Sequence, residues 1–215
     1  MRWGMVVDLK KCVGCYSCVV ACKEEHFLPP GIFWNRVLVT HKGTYPAVTK
    51  EILPTLCNHC KEAPCVKVCP TGASIRREDG IVLVDADKCV GCRYCIIACP
   101  YQQRTSFKKY TPYFKGNGYT PPEELGRQLY PLQEGTAVKC NFCLERIEEG
   151  LKTGLKPGDD PEATPACVIA CAAKARYFGD LDDPESMVSR LIREKKGTPL
   201  SSEFDTEPSV YYLRY

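Results

Sequence analysis

Residues 87–100 constrain this chain more than any other stretch. They place Cys89, Cys92, Cys95 and Cys99 at the spacing Cys-x2-Cys-x2-Cys-x3-Cys, followed by Pro100. That is the bacterial run that holds a [4Fe–4S] cube. Three thiolates at such short intervals wrap a tight loop around one cube. The fourth cysteine lies on the helical turn that follows and points to a neighbouring cube. Gly91 lets the backbone bend closely at the second thiolate. The chain has 16 cysteines, and variants of the run use all of them. The groups are Cys12, Cys15, Cys18, Cys22; Cys57, Cys60, Cys65, Cys69; Cys89, Cys92, Cys95, Cys99; and Cys140, Cys143, Cys167, Cys171. Four thiolates per cube make four cubes.

Two other uses of cysteine fit less well. Disulfide-dense domains are small and secreted, whereas this chain has 215 residues and opens with MRWGMVVDLKKC, which carries no long apolar run or cleavage site. Structural zinc uses separated Cys-x2-Cys pairs rather than a run of three with a fourth after x3.

The formal charge of +3 counts thiols as neutral. Four thiolates around an oxidised cube leave about −2 per site, so the loaded protein falls near about −5. Slight basicity is therefore no sign of a nucleic-acid partner. Lys10, Lys11, Lys61, Lys88 and Lys139 stand beside the clusters and are placed to offset that charge or to be solvated. No apolar stretch has the roughly 18–20 residues of a membrane span, so the reading is a soluble or peripheral protein without a direct span.

Strands are expected at residues 2–8, 36–40, 49–53, 81–85 and 175–181, and a short helix at 17–25 carrying Cys18 and Cys22. Lys23 stands where a proline usually follows the fourth cysteine, and residues 27–34, with Pro29, Pro30 and Gly31, mark a loop. Pro64 opens a helical turn that Pro70 closes. Residues 145–151 continue as a helix inside an insertion between Cys143 and Cys167. Asp183 reads as an N-cap with Pro184 at the first helical position. Met187, Val188, Leu191 and Ile192 form that helix's apolar face, and Gly197 ends it. The tail VYYLRY is a last strand or a partner contact. Residues 101–139 are too long for a plain loop and are expected to lie on a partner or to cap a cluster.

The chain repeats itself. Val7-Asp8-x-x-Lys11-Cys12-Val13-Gly14-Cys15 recurs as Val84-Asp85-x-x-Lys88-Cys89-Val90-Gly91-Cys92, an offset of 77 residues. Cys57-Asn58-His59-Cys60 resembles Cys140-Asn141-Phe142-Cys143. The order is thus a, b, a, b. The shortest link joins Cys69 to Cys89, so the second and third groups form one module and the chain ends close the other. The expected fold is α+β, with two ferredoxin-like bis-[4Fe–4S] modules. Residues 1–56 with 140–183 make the first, 57–100 the second, 101–139 connect or dock, and 184–215 add a C-terminal helix and tail. The expected ligand sets are Cys12, Cys15, Cys18 with Cys171; Cys140, Cys143, Cys167 with Cys22; Cys57, Cys60, Cys65 with Cys99; and Cys89, Cys92, Cys95 with Cys69.

The pieces GMVVDLKKCVGCYSCVVACK, PTLCNHCKEAPCVKVCPTGA, GIVLVDADKCVGCRYCIIACP and CVIACAAKARYFGDLDDPES resemble the four-cluster iron–sulfur subunits of the molybdopterin (dimethyl sulfoxide reductase) oxidoreductases. These include subunits of polysulfide, tetrathionate and arsenate reductases. The resemblance covers nearly the whole chain. It departs at Ala172, where a proline often follows the last cysteine, and in the long insertion before Cys167. Some relatives carry Trp at the second cysteine of the third group and hold a three-iron cluster; Cys92 implies a full cube here.

The resemblance implies a non-catalytic subunit relaying single electrons. Its partners would be a large molybdopterin-containing catalytic subunit (molybdenum or tungsten) and a membrane anchor with a quinone site, or a cytochrome. The first-group cluster would lie nearest the catalytic subunit and the third-group cluster farthest. The implied location is the prokaryotic cytoplasmic membrane. Co-export to the periplasm with the catalytic subunit is favoured over the cytoplasmic side. The rival is a free-standing polyferredoxin, against which the long connection, insertion and aromatic tail argue. A catalytic centre finds no phosphate loop, GxGxxG or Ser/His/Asp set. Of the three histidines, His59 is placed either to donate to a cluster or to be solvated.

Overall fold

The computed structural model describes residues 1–214. Its organising strand is β1 (Trp3–Asp8), all six residues of which are buried. The continuous apolar run WGMVV makes this feasible, because β1 lies inside a sheet covered on both faces. It pairs antiparallel with β8 (Arg176–Asp180) and parallel with β10 (Val210–Leu213), which β9 (Thr198–Pro199) edges. Alternation divides the strand: Val6 packs with Val188, Leu191 and Leu213 on one side. Trp3, Met5 and Val7 join the main core on the other, against Phe178, Phe142 and Tyr212. Strand β1 thus separates a covering helix from the layer that carries the cysteines.

That covering helix, α7 (Met187–Glu194), starts later than the sequence indicates. Ser186, not Asp183, is its N-cap and accepts from the Ser189 N–H at 3.2 Å. Asp183 instead closes a preceding turn, taking the Glu185 N–H at 2.9 Å on its carboxylate. At the other end Lys196 adopts the left-handed conformation and the Gly197 N–H bonds to the Ile192 carbonyl at 2.9 Å. Residues 210–213 of the tail form a strand, with Val210, Tyr212 and Leu213 fully buried, while Tyr215 lies outside the described residues.

Four short helices carry the fourth cysteines of the groups or the residues beside them. They are α1 (Ser17–Glu25), α2 (Pro64–Lys67), α3 (Tyr94–Ile97) and α6 (Ala166–Ile169). Helix α1 packs on α6, and α2 packs on α3. Tyr16 and Arg93, 77 residues apart, both cap their helices in the left-handed conformation. The internal repeat is thus a repeat of backbone shape as well as sequence. Between the second and third groups, β4 (Ser74–Arg76) pairs with β5 (Val82–Val84), shorter than the expected strand over 81–85.

Two regions depart from expectation. Residues 35–56 form one long hairpin, β2 (Asn35–Thr44) with β3 (Ala47–Leu56), instead of two short strands. Its base is buried and its tip exposed. The connection 101–139 contains β6 (Thr105–Ser106), α4 (Pro121–Leu129) and β7 (Ala137–Val138). The Glu123 carboxylate reaches back to the Thr120 N–H at 2.7 Å, with Pro121 at the first helical position. Helix α4 docks on the chain itself: its Gly126 approaches the Phe27 side chain so closely that an added Cβ would collide with it, and Tyr113 Oη donates to the Leu28 carbonyl at 2.7 Å. Lys23 organises that same loop, donating to the carbonyls of Leu28, Pro29 and Ile32 at 3.0–3.1 Å. The insertion holds α5 (Leu144–Lys152), as expected of 145–151. No helix among the described residues is long and apolar enough to cross a membrane.

Candidate metal centres

The sixteen cysteines are free thiols, gathered by tertiary structure into four sets of four. Cys12, Cys15, Cys18 and Cys171 line one cavity, with Arg176 and Val37 in its wall. Cys57, Cys60, Cys65 and Cys99 line a second, with Val82 and Arg104. Cys69, Cys89, Cys92 and Cys95 line a third, with Ser74. Cys22, Cys140, Cys143 and Cys167 form the fourth set. All four are buried, and each of Cys22 and Cys143 feels the charge of Cys140 and Cys167.

Helical geometry links the sets in pairs. Cys95 and Cys99, at and just past α3, line different cavities, as do Cys65 and Cys69 at α2. Cys18, one turn before Cys22 on α1, and Cys171, four residues after Cys167, line the first cavity, while Cys22 and Cys167 belong to the fourth set. These helices join Cys12's set to Cys22's set and Cys57's set to Cys69's set, and Cys140 feels the charge of Cys57, which brings the two pairs together at Cys22's and Cys57's sets. Exposure follows that order. Cys15 and Cys92, equivalent in the repeat, are the two exposed cysteines at opposite ends, and the inner sets are the more buried.

The loops around the thiols are built to face something inward. Gly14 and Gly91 both have φ +68, and a Cβ on Gly91 would run into the Gly135 carbonyl. His59, Phe142 and Cys143 are also left-handed. Successive turns of this kind make concave nests of N–H groups, a shape that suits sulfide or phosphate. Several N–H groups already aim at sulfur: Ser74 N–H to Cys69 Sγ at 3.4 Å, and Ala175 N–H to Cys171 Sγ at 3.2 Å. The donor set also fits a cube better than a lone ion. Zinc would need four sulfurs about 2.3 Å from one point, and among the described residues no three Cys, His, Asp or Glu side chains close on a single-ion site. A cube needs its four thiolates further apart, with room between them.

Burial sets the thiol chemistry. Desolvation pushes Cys60 and Cys140 up to about 12, and raises Cys22 and Cys143 well above the ordinary thiol value. These sulfurs are neutral thiols until a metal takes the place of their protons. Cys69 is different. Against desolvation, the Ser74 N–H and the Thr71 hydroxyl hold it at about 7.

Several residues close to the thiols escaped the sequence reading. His26 is buried, with Nε2 3.4 Å from Cys143 Sγ. His59 is buried rather than solvated. Its Nδ1 accepts the Val82 N–H at 3.0 Å, leaving the proton on Nε2, and its ring stacks on Phe142. Of the five lysines, only Lys139 is buried. Lys61 and Lys88 pair with Glu207 and Asp85 on the surface, and Lys11 donates to Tyr177 Oη at 2.6 Å. Two further buried cations, Arg104 and Arg176, stand among the sulfurs. Burial works against the charge of each. Cys65, Cys57 and Cys95 work for Arg104, and Cys167 and Cys18 for Arg176. A spacing rule could have found them: each arginine lies five residues past a group's last cysteine, Cys99 and Cys171.

Such a fold and such a set of sites define an iron–sulfur electron-transfer protein. Comparison with known proteins agrees. Residues 48–128 match the 4Fe-4S dicluster domain family, and residues 3–24 match a 4Fe-4S binding domain. The chain is similar to a selenate reductase subunit of Mesobacillus selenatarsenatis, at 45% identity over 99% of this chain and 72% of that one. It is 42% identical to the arsenate respiratory reductase iron–sulfur subunit of Shewanella sp., over 100% of this chain and 97% of the relative. A tetrathionate reductase subunit of Salmonella typhimurium is 38% identical over 99% of this chain and 72% of the relative. The chain belongs to the [4Fe–4S] electron-transfer subunits of the molybdopterin oxidoreductases. It relays electrons within a reductase complex whose catalysis falls to another subunit, and its sixteen cysteines fit four [4Fe–4S] clusters.

Proposed function

We propose that each of the four cysteine sets ligates one cluster, and that the clusters form a single line with an open end at Cys15 and another at Cys92. The observation that carries this is the gathering of distant cysteines around common cavities, Cys12 with Cys171 and Cys69 with Cys92, with exposure only at the two ends. When bound, each cluster accepts and donates one electron. The chain supplies the rest. Its thiols fix each position, the turns of α1, α2, α3 and α6 set the separation of neighbours, and the apolar core keeps water from the inner two.

Two ferredoxin-like modules follow from this assignment. The first and fourth groups make one across the α1–α6 contact, and the second and third make the other across α2–α3. The end at Cys15 would meet the molybdopterin-containing subunit. The end at Cys92 would meet a membrane quinone-reactive subunit or a soluble carrier such as a cytochrome. This orientation rests on the likeness to the family, as does the preferred periplasmic location. Apolar side chains around both ends support docking there: Val13, Tyr16 and Val20 at one, Val90, Tyr94 and Ile97 at the other, all exposed.

Iron and sulfide analysis tests the count, with about 16 Fe per chain expected. Paired variants test the sets. Cys12→Ser and Cys171→Ser should each extinguish the same EPR signal, and Cys22→Ser with Cys143→Ser another. Loss of one common signal in Cys171→Ser and Cys167→Ser would overturn the grouping.

A further inference from the structure

The line of clusters has three gaps, and each gap holds one buried cation. Arg176 sits in the first. Its Nη1 is 3.7 Å from Cys167 Sγ, in Cys22's set, while its side chain also lines the cavity of Cys12's set. Asn35 fixes it from behind, with Oδ1 accepting from Nη2 at 3.0 Å. Lys139 sits in the second gap. Its ammonium donates to the carbonyl of Cys140, in Cys22's set, at 2.6 Å, and to the carbonyl of Val82, in the wall of Cys57's cavity. Arg104 sits in the third. It lines the cavity of Cys57's set, and its Nη1 donates at 2.7 Å to Ser74 Oγ, in the wall of the cavity of Cys69's set.

None of the three has a carboxylate partner among the described residues. Arg104 is 4% exposed, yet its Nε and Nη2 have no hydrogen-bond partner among the described residues. A buried guanidinium with two idle donors is costly unless an anion takes them. The exposed lysines show the opposite pattern, being solvated or paired.

We propose that Arg176, Lys139 and Arg104 are relay-tuning residues, each shared by the two clusters that flank it and each holding the potentials of that pair up. Reduction adds negative charge to a cluster, and a desolvated cation a few ångströms away favours the reduced form. Sharing one cation between neighbours couples them: an electron on one side weakens the cation's pull on the other. The inference rests on the cluster assignment above.

Redox titration followed by EPR on the full chain tests it. In Arg176→Gln the clusters of Cys12's and Cys22's sets should become harder to reduce, by at least about tenfold in the reduced-to-oxidised ratio, 59 mV for one electron. The other two should stay in place. Lys139→Gln should move the clusters of Cys22's and Cys57's sets, and Arg104→Gln those of Cys57's and Cys69's sets. Arg176→Lys and Arg104→Lys should restore the potentials. Where a glutamine variant loses iron, Asn35→Ala or Ser74→Ala releases the same guanidinium without deleting it and should move the same pair in the same direction. Unmoved potentials at full iron content, or an equal shift of all four, would overturn the proposal. Wrong cluster sets would show separately, in the paired cysteine variants.

Discussion

His26 Nε2 stands 3.4 Å from Cys143 Sγ, the sulfur of a thiol that desolvation raises well above its ordinary range. The imidazole is itself almost fully buried, between Trp34 and Tyr130. Burial, helped by Arg146, lowers its pKa to about 4, so it is neutral at pH 7. The sign of the linkage follows. Stability from the neutral ring is complete above the unfolded value near 6.5 and is lost as pH falls toward about 4, by roughly 3 kcal/mol. His26→Gln cannot take that proton and still reaches the sulfur as a donor. Acid titration of the visible iron–sulfur absorption should show a midpoint at lower pH in the variant. An unchanged or higher midpoint would assign the acid sensitivity to His59 or to the clusters alone.

What the sequence shows and what it hides divide along local and distant contacts. Cysteine spacing is local, so the loops, the short helices after them and the strand of residues 3–8 are all legible. So is α5, with its apolar Leu144 and Ile147. Helix α4 is hidden because its sequence, PPEELGRQL, contains two prolines and a glycine. The prolines turn out to start the helix, and the glycine is a contact surface. His26, Arg104 and Arg176 are hidden for another reason: each reaches a group contributed by another element, Cys143 Sγ, Ser74 Oγ and Cys167 Sγ respectively. The N-cap moves from Asp183 to Ser186 because Asp183–Pro184 closes a turn equally well, while Ser186 Oγ accepts the Ser189 N–H and donates to the Asp180 carbonyl at the end of β8.

Gly126 tests the docking of α4. A Cβ there would enter the Phe27 ring. Helix propensity favours alanine over glycine by about 1 kcal/mol, and overpacking costs about 1–3. Packing should win. Gly126→Ala should loosen residues 108–132, read as faster hydrogen exchange and proteolysis there, while iron content stays near about 16 per chain. Slower exchange would mean that α4 is held by its own propensity and not by Phe27.

The tip of the β2–β3 hairpin should matter little to the fold. Residues 40–51 are all exposed, and their one ion pair, Lys42–Glu51, is solvent-accessible on both sides. Exposed pairs contribute about 0–1 kcal/mol. Replacing residues 42–50 by a two-residue turn should leave the melting temperature within about 4 °C and all four EPR signals in place. Loss of the signal from Cys12's set, whose Gly14 lies so near Ile52 that an added Cβ would stand 3.1 Å from it, would show that strain passes down the hairpin.

Tyr212 is one of the side chains that hold the tail to the cluster layer, alongside Ser209, whose Oγ donates to the His59 carbonyl at 3.0 Å. Tyr212 is fully buried in β10, and its hydroxyl donates to the Pro54 carbonyl at 3.0 Å, three residues before Cys57. Desolvation raises its pKa, so it is a neutral donor throughout the ordinary range. Tyr212→Phe keeps the ring but strands a buried carbonyl, at about 1–3 kcal/mol. Tyr212→Ala also opens a cavity between the sheet and the hairpin base, at about 3–5 kcal/mol for a large aromatic. At about 2–4 °C per kcal/mol for a chain of this size, the alanine variant should melt well below the phenylalanine one. Equal melting temperatures would mean that the hydroxyl, rather than the packed ring, joins the chain's end to its second cysteine group.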